Sequence, residues 1–177
     1  MTVTRFTPAH ASDDAALVRN ARGGDESAFG RLYERYARIV HGVLLARVPR
    51  VDVEDLVQEV FVTAWRRLES LRDPAAFGGW VSMIARNRAT DYHRRTPVMV
   101  HLPQDLEASD GTAARAEAIA SLEAIRTLPD AYRETLVLRL VEGLTGPEIS
   151  DRTGLTAASV RVNLHRGMKL LREKLHR

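Results

Sequence analysis

The feature that most constrains this chain is the spacing of its apolar residues, which recur three and four positions apart almost throughout, with strand-type alternation nearly absent. Side chains at i, i+3, i+4 and i+7 share one face of a helix, so the chain can bury its apolar surface only by packing helix on helix. The expected fold class is all-α. A first short helix begins after Ser12 and stops at Gly23-Gly24, where glycine accepts the left-handed backbone that closes a helix. The next starts at Asp25 and carries Phe29, Leu32, Tyr33, Tyr36, Ile39, Val40, Val43 and Leu44 on its core face, ending before Pro49. Asp52 is expected to cap the helix after it, with Glu54 and Asp55 in the first turn, where the positive end of the dipole favours anions. Its core stripe is Val53, Leu56, Val57, Val60, Ala64 and Leu68. Asp73-Pro74 opens another, through Phe77, Trp80, Val81 and Ile84, until Pro97 bars helical geometry at Thr96. These elements make a bundle of three long helices, or four with the short first one.

From Thr96 to Thr112 periodicity lapses amid Pro97, Pro103 and Asp110-Gly111, the pattern of a flexible linker. The expected organisation is therefore a first domain over 1–95, an acidic linker over 96–112 and a second domain over 113–177. With 177 residues, each unit is small enough to bury only about 60% of its unfolded surface and to benefit from a partner. In the second unit, Ile119, Leu122 and Ile125 mark a helix ending near Pro129, and Leu136, Val137, Leu140 and Val141 mark one ending at Gly143.

Thr145-Gly146-Pro147-Glu148 then forms a capping box, opening a short helix that carries Ile149 and ends at Gly154. Thr156 caps a longer helix whose Val160, Leu164, Met168, Leu171 and Leu175 fall on one side. Its other side holds Ala158, Ser159, Val162, Arg166 and Lys169, flanked by Arg161 and Asn163. Small residues let a backbone approach bases, and arginine and asparagine donate to base edges or phosphates, so this helix pair suits a DNA groove. Helix pairs around a glycine turn also occur in proteins that never meet DNA. Charge favours the first reading: Leu155 to Arg177 carries a net +5, against a whole-chain net of +3, and Arg86, Arg88, Arg94 and Arg95 against Asp91 give a second basic cluster of +3.

In the first unit Asp55, Gln58, Glu59 and Arg66 project away from the core stripe with Val62 among them, the mixture of charged and apolar groups from which protein interfaces are built. Asp55 and Glu59 stand at i, i+4, but no histidine falls at a matching position, so neither metal nor other cofactor is expected. Arg86, Asn87, Thr90 and Arg94 share a face able to track a DNA strand. Trp80, Phe77 and Tyr92 offer either stacking surfaces or core. Arg88 falls beside the apolar stripe, where snorkelling or pairing with Asp91 would accommodate it. The absence of cysteine fits a reducing cytoplasm, and with no apolar run near 18 residues the chain is expected to be cytoplasmic, with no membrane insertion.

Taken in order, Asp55-Leu-Val-Gln-Glu-Val-Phe61, Phe77-Gly-Gly-Trp80, Ile84-Ala-Arg-Asn87, Asp91-Tyr92 and Arg94-Arg95 resemble the sigma-two region of extracytoplasmic-function (ECF) sigma factors in the sigma-70 family. Leu128-Pro129, Glu142-Gly-Leu144, Glu148-Ile149, Ser159-Val160 and Leu164-His165-Arg166 are similarly placed to its sigma-four region. The resemblance implies a sigma-two helical bundle and a sigma-four helix-turn-helix bundle that direct RNA polymerase to promoters without catalysis, as an alternative regulator responsive to stress or to the envelope. It implies polymerase binding by Asp55, Gln58, Glu59 and Val62 to the beta-prime clamp helices, and a further contact to the beta flap. Minus-ten promoter DNA would fall to Trp80, Arg86, Asn87, Thr90 and Arg94, and minus-thirty-five DNA to Ala158, Ser159, Arg161, Val162, Asn163 and Arg166. It also implies an anti-sigma partner. Asn163 and Val162 stand where the family often has arginine and serine, Gly146-Pro147 replaces a bulkier or charged pair, and Gly167 interrupts the last helix. Two other readings are a helix-turn-helix regulator that never joins the polymerase, which leaves the Asp55 face unexplained, and a metal phosphodiesterase using Asp52, Asp55 and Glu59, which lacks a nearby nucleophile or general acid.

Overall fold

The computed structural model describes residues 11–95 and 113–175, and the linker expected at 96–112 lies outside the described residues. Among these, eight α-helices and no strand form two helical domains. The first comprises α1 (Ala11–Arg22), α2 (Glu26–Leu45), α3 (Val53–Arg66) and α4 (Phe77–Arg95). The second comprises α5 (Ala113–Arg126), α6 (Asp130–Leu140), α7 (Gly146–Thr153) and α8 (Ala157–Leu175).

Local chemistry sets most boundaries as the sequence predicts. Gly24 takes a φ of 94°, Asp25 accepts from the Ala28 amide at 3.1 Å, and α2 follows. Asp73 accepts from the Ala75 amide at 3.0 Å and starts a 3-10 turn, Pro74–Ala76, that leads into α4. The box before α7 is complete in both directions, with Gly154 left-handed at its far end, and Thr156 accepts from the Ser159 amide at 3.1 Å to start α8. Asp52 departs from expectation. It ends a 3-10 turn, caps nothing with its side chain, and accepts instead from the Tyr92 hydroxyl at 2.7 Å, tying the entry of α3 to α4.

α2 is the central column of the first domain, packed against α1, α3 and α4. Leu32, Ile39, Val40, Val43 and Leu44 are fully buried, and the α3 stripe from Val53 to Leu68 is buried as expected. Tyr33, assigned to the core, is 41% exposed and lies on the rim beside Phe61. Asp14 of α1 is buried, accepting from Tyr36 and Arg35 of α2. Burial, and then the hydrogen bond to the Asp14 carboxylate, push the Tyr36 phenol far above its ordinary value.

In the second domain Leu136, Val137 and Leu138 are buried, whereas Leu140 and Val141, which also mark this helix in the sequence, are each 48% exposed at its C-terminal end. Leu175, placed on the buried side of the last helix by the sequence, is 50% exposed. Gly167 is not a defect in α8 but its contact point: a methyl there would come within 3.1 Å of Leu136 and 3.2 Å of Tyr132.

The domains also pack on each other, α6 and α7 lying against α2 and α4. Arg126 of α5 donates to the Leu45 carbonyl at 3.2 Å and to that of Val48, supplying donors and positive charge at the C-terminal end of α2. Within the first domain, Tyr36→Phe should leave one oxygen of buried Asp14 without its donor and cost about 1–3 kcal/mol in chemical denaturation. An unchanged midpoint would show that the hydroxyl is not needed to seat α1.

Candidate docking and nucleic-acid interfaces

Because α3 buries one side only, Asp55, Gln58, Glu59, Val62 and Arg66 all emerge on the other and are exposed. They line one wall of an open groove of about 700 Å³ whose second wall is α4, through Ile84, Asn87, Arg88 and Asp91. Arg88 is resolved here. It pairs with Glu59 across the groove, not with Asp91, which pairs with Arg94 at 3.4 Å. The expected docking face is thus an acid and amide surface with one carboxylate held in place by an arginine of the neighbouring helix.

The four residues expected to share a face of α4 divide between two. Asn87 turns into the groove, exposed beside Arg88. Thr90 and Arg94 are exposed as well, with the Thr90 hydroxyl turned back to the Arg86 carbonyl at 3.1 Å. Arg86 is not free. Its Nε and Nη2 donate to the two carboxylate oxygens of Glu134 on α6, at 3.1 and 2.7 Å, and Nη2 also reaches the Thr153 carbonyl at the end of α7, at 3.4 Å. Trp80 is half-buried against Phe77, with ring centroids 5.8 Å apart, and so presents only part of its surface. On α8, Ala158, Ser159, Arg161, Val162, Arg166 and Lys169 are exposed and Asn163 half-exposed, so the expected reading face is open along its length.

Sequence reasoning missed the polar contacts between the domains. Glu134 is only 4% exposed and is gripped from the first domain by Arg86 and by Arg47, the latter at 2.7 Å. Burial alone would raise its pKa, but the hydrogen bond and charge of Arg86, then those of Arg47, hold it below the usual carboxylate value, so it stays ionised. A second contact joins Glu142, after α6, to His41 Nδ1 at 2.7 Å and to Arg38 at 3.5 Å. A signal for Glu134 existed. It heads the run Glu134-Thr135-Leu136-Val137-Leu138, buried all round, and an acid flanked by core positions needs a cation from elsewhere.

Comparison with known proteins resolves what these surfaces belong to. The model for Sigma-70 region 2 matches residues 32–96, and that for Sigma-70 region 4 matches residues 120–171. The chain is 34% identical to the ECF RNA polymerase sigma-E factor of Haemophilus influenzae over 92% of this chain and 95% of that one. It is 31% identical to the RNA polymerase sigma factor CnrH of Cupriavidus metallidurans, over 83% and 86% of the two chains. The chain belongs to the ECF sigma factors. A solved structure of CnrH in complex with the cytosolic domain of CnrY aligns over 92% of this sigma factor and 97% of its own chain, at 27% identity and a TM-score of 0.65. Region 2 spans most of α2 and all of α3 and α4, and region 4 spans the second half of α5, all of α6 and α7 and most of α8, so the domain contacts of this sigma factor join its two family regions.

His41 gives one of those contacts a pH dependence. The hydrogen bond to Glu142 raises its pKa above the ordinary 6.5, helped by the charges of Glu142 and Glu54 and opposed by partial burial and Arg50. A raised value means that the protonated ring strengthens this contact fully below pH 6.5 and that the contribution is lost as pH climbs through the raised value. The His41 ring protons in an NMR titration should therefore turn over above 6.5, and Glu142→Gln should bring the midpoint down. A midpoint insensitive to that substitution would break the assignment.

Proposed function

We propose that this sigma factor binds core RNA polymerase and directs it to specific promoters, as an alternative regulator responsive to stress or to the envelope. Residues 1–95 dock on the beta-prime clamp helices through Asp55, Gln58, Glu59 and Val62 and engage the minus-ten element through Trp80, Arg86, Asn87, Thr90 and Arg94. Residues 113–177 meet the beta flap and read the minus-thirty-five element through Ala158, Ser159, Arg161, Val162, Asn163 and Arg166, and residues 96–112 connect the two. The chain is a binding subunit and not an enzyme. It works in the cytoplasm, a reading compatible with the finding that no described helix is long and apolar enough to cross a membrane.

The observation that carries this reading is the presence, in one chain matching both sigma regions, of an exposed acid and amide face on α3 and an exposed small-and-basic face on α8. The first offers hydrogen-bond acceptors and an apolar centre at Val62 to a basic protein helix, and the second has the profile of a major-groove helix. The binding of CnrH to the cytosolic domain of CnrY supports a protein partner of the same kind for this chain, an anti-sigma factor.

Transcription with purified core polymerase on a promoter library tests the whole reading, since activity requires every interface and the enriched sequences report the specificity. Glu59→Lys, which places a cation beside Arg88, should weaken polymerase capture in pull-down while the circular dichroism spectrum stays that of the wild type. Arg166→Ala should leave polymerase capture intact and weaken duplex promoter binding by about 1–3 kcal/mol, with relaxed preference at one base pair if the arginine contacts a base edge. Equal weakening on all sequences would mean a phosphate contact instead.

A further inference from the structure

Arg88 belongs to none of the binding sets named above, yet it lines the docking groove from the α4 wall. Its side chain is mostly withdrawn from solvent while that of its partner Glu59 is half open, 25% against 49% exposed. Nη2 meets Glu59 Oε2, and Nε is buried with no acceptor among the described residues. If Glu59 swung away into solvent, a largely buried guanidinium that already carries one unmet N–H would lose its counter-ion as well. That cost is absent from an ordinary surface ion pair, so this carboxylate is held where an exposed glutamate would wander. Its other oxygen, Oε1, accepts from no described residue, and Asp55, one turn earlier on the same wall, pairs with none at all.

We propose that Arg88 is a positioning residue for polymerase docking: by occupying Oε2 it presets Glu59 so that Oε1 meets a donor of the polymerase, and the carboxylate is shared between two cations. The inference rests on the assignment of Glu59 to the docking face. An unrestrained glutamate would lose its rotamer freedom at the moment of binding, whereas here that loss is already incurred in the free chain. The occupancy also selects the donor. With one oxygen taken, a guanidinium fork cannot close on Glu59, and a single ammonium or one N–H can; Asp55, with both oxygens open, accepts either. Arg88 adds positive charge beside the acid face, which opposes the approach of a basic helix. Its contribution therefore lies in the lifetime of the complex and not in the speed of its formation.

Association and dissociation rates of the full chain on immobilised core polymerase, read by biolayer interferometry, test this. Arg88→Met keeps an unbranched stem along the groove and removes the charge. It should speed dissociation by roughly 3- to 10-fold, the span expected when one rotamer-rich side chain must be ordered anew, without slowing association. Arg88→Lys, which needs only one N–H to reach Oε2, should recover most of the lifetime. In a Glu59→Gln background Arg88→Met should change nothing further, and in an Asp55→Asn background it should act as it does in the wild type. Dissociation unchanged by Arg88→Met, where Glu59→Gln does speed it, overturns the positioning role and leaves the docking face standing. An equal effect of Arg88→Met with and without Glu59 means that Arg88 touches the polymerase directly, and overturns the role too. If Glu59→Gln alters neither rate, the docking assignment itself has failed and takes the proposal with it. Should Arg88→Met lose its helical circular dichroism, Arg88→Gln, neutral and shorter, is read by the same criteria.

Discussion

A carboxylate almost wholly removed from water, Glu134, is the point on which the arrangement of this chain turns. Burying a lone charge costs several kcal/mol, and the cost is offset only when opposite charge and hydrogen bonds arrive with good geometry. Nothing within α6 supplies them. Arg47 and Arg86 do, one from the end of α2 and one from the middle of α4, so the second domain is satisfied only when it lies where both arginines reach. The direction of approach is then fixed by two bodies of the first domain at once, which a single ion pair could not do. Glu142 and Arg126 add bonds at the two sides of the same contact. Removing the partner from either side leaves uncompensated buried charge, so the contact specifies position more than it adds stability.

The boundary between what could be read from the chain and what could not follows the range of the interactions. Caps, glycine stops and core stripes act within a turn or two, and the Asp25, Asp73, Thr145 and Thr156 caps stand where the sequence puts them. The open faces of α3 and α8 were legible for the same reason, since each is the complement of a local apolar stripe. The larger failures, beyond rim residues such as Tyr33 and Leu175, are pairings between distant residues. Asp52 looked like a cap and is taken by Tyr92, 40 residues on; Arg88 looked for Asp91 and found Glu59; Arg86 looked free and is held by Glu134, 48 residues on. A helix wheel gives the direction in which a side chain leaves its helix and carries nothing about what waits there. Gly167, read as an interruption of the last helix, is instead a point of contact, as is Gly42, and only packing reveals either.

On α4 the helical period separates neighbours in sequence into different surfaces. Arg86, Thr90 and Arg94, four residues apart, make one strip, while Asn87, Arg88 and Asp91 line the groove with α3. The second domain covers the head of the first strip through Arg86 and leaves the groove exposed. A partner that docks on α3 therefore meets the same acid and amide wall whether the domains are together or apart, because Arg88 fixes Glu59 from within the first domain alone. Any anion approaching Arg86 would meet nitrogens already held by Glu134, so the strip and the groove differ in what the second domain leaves open.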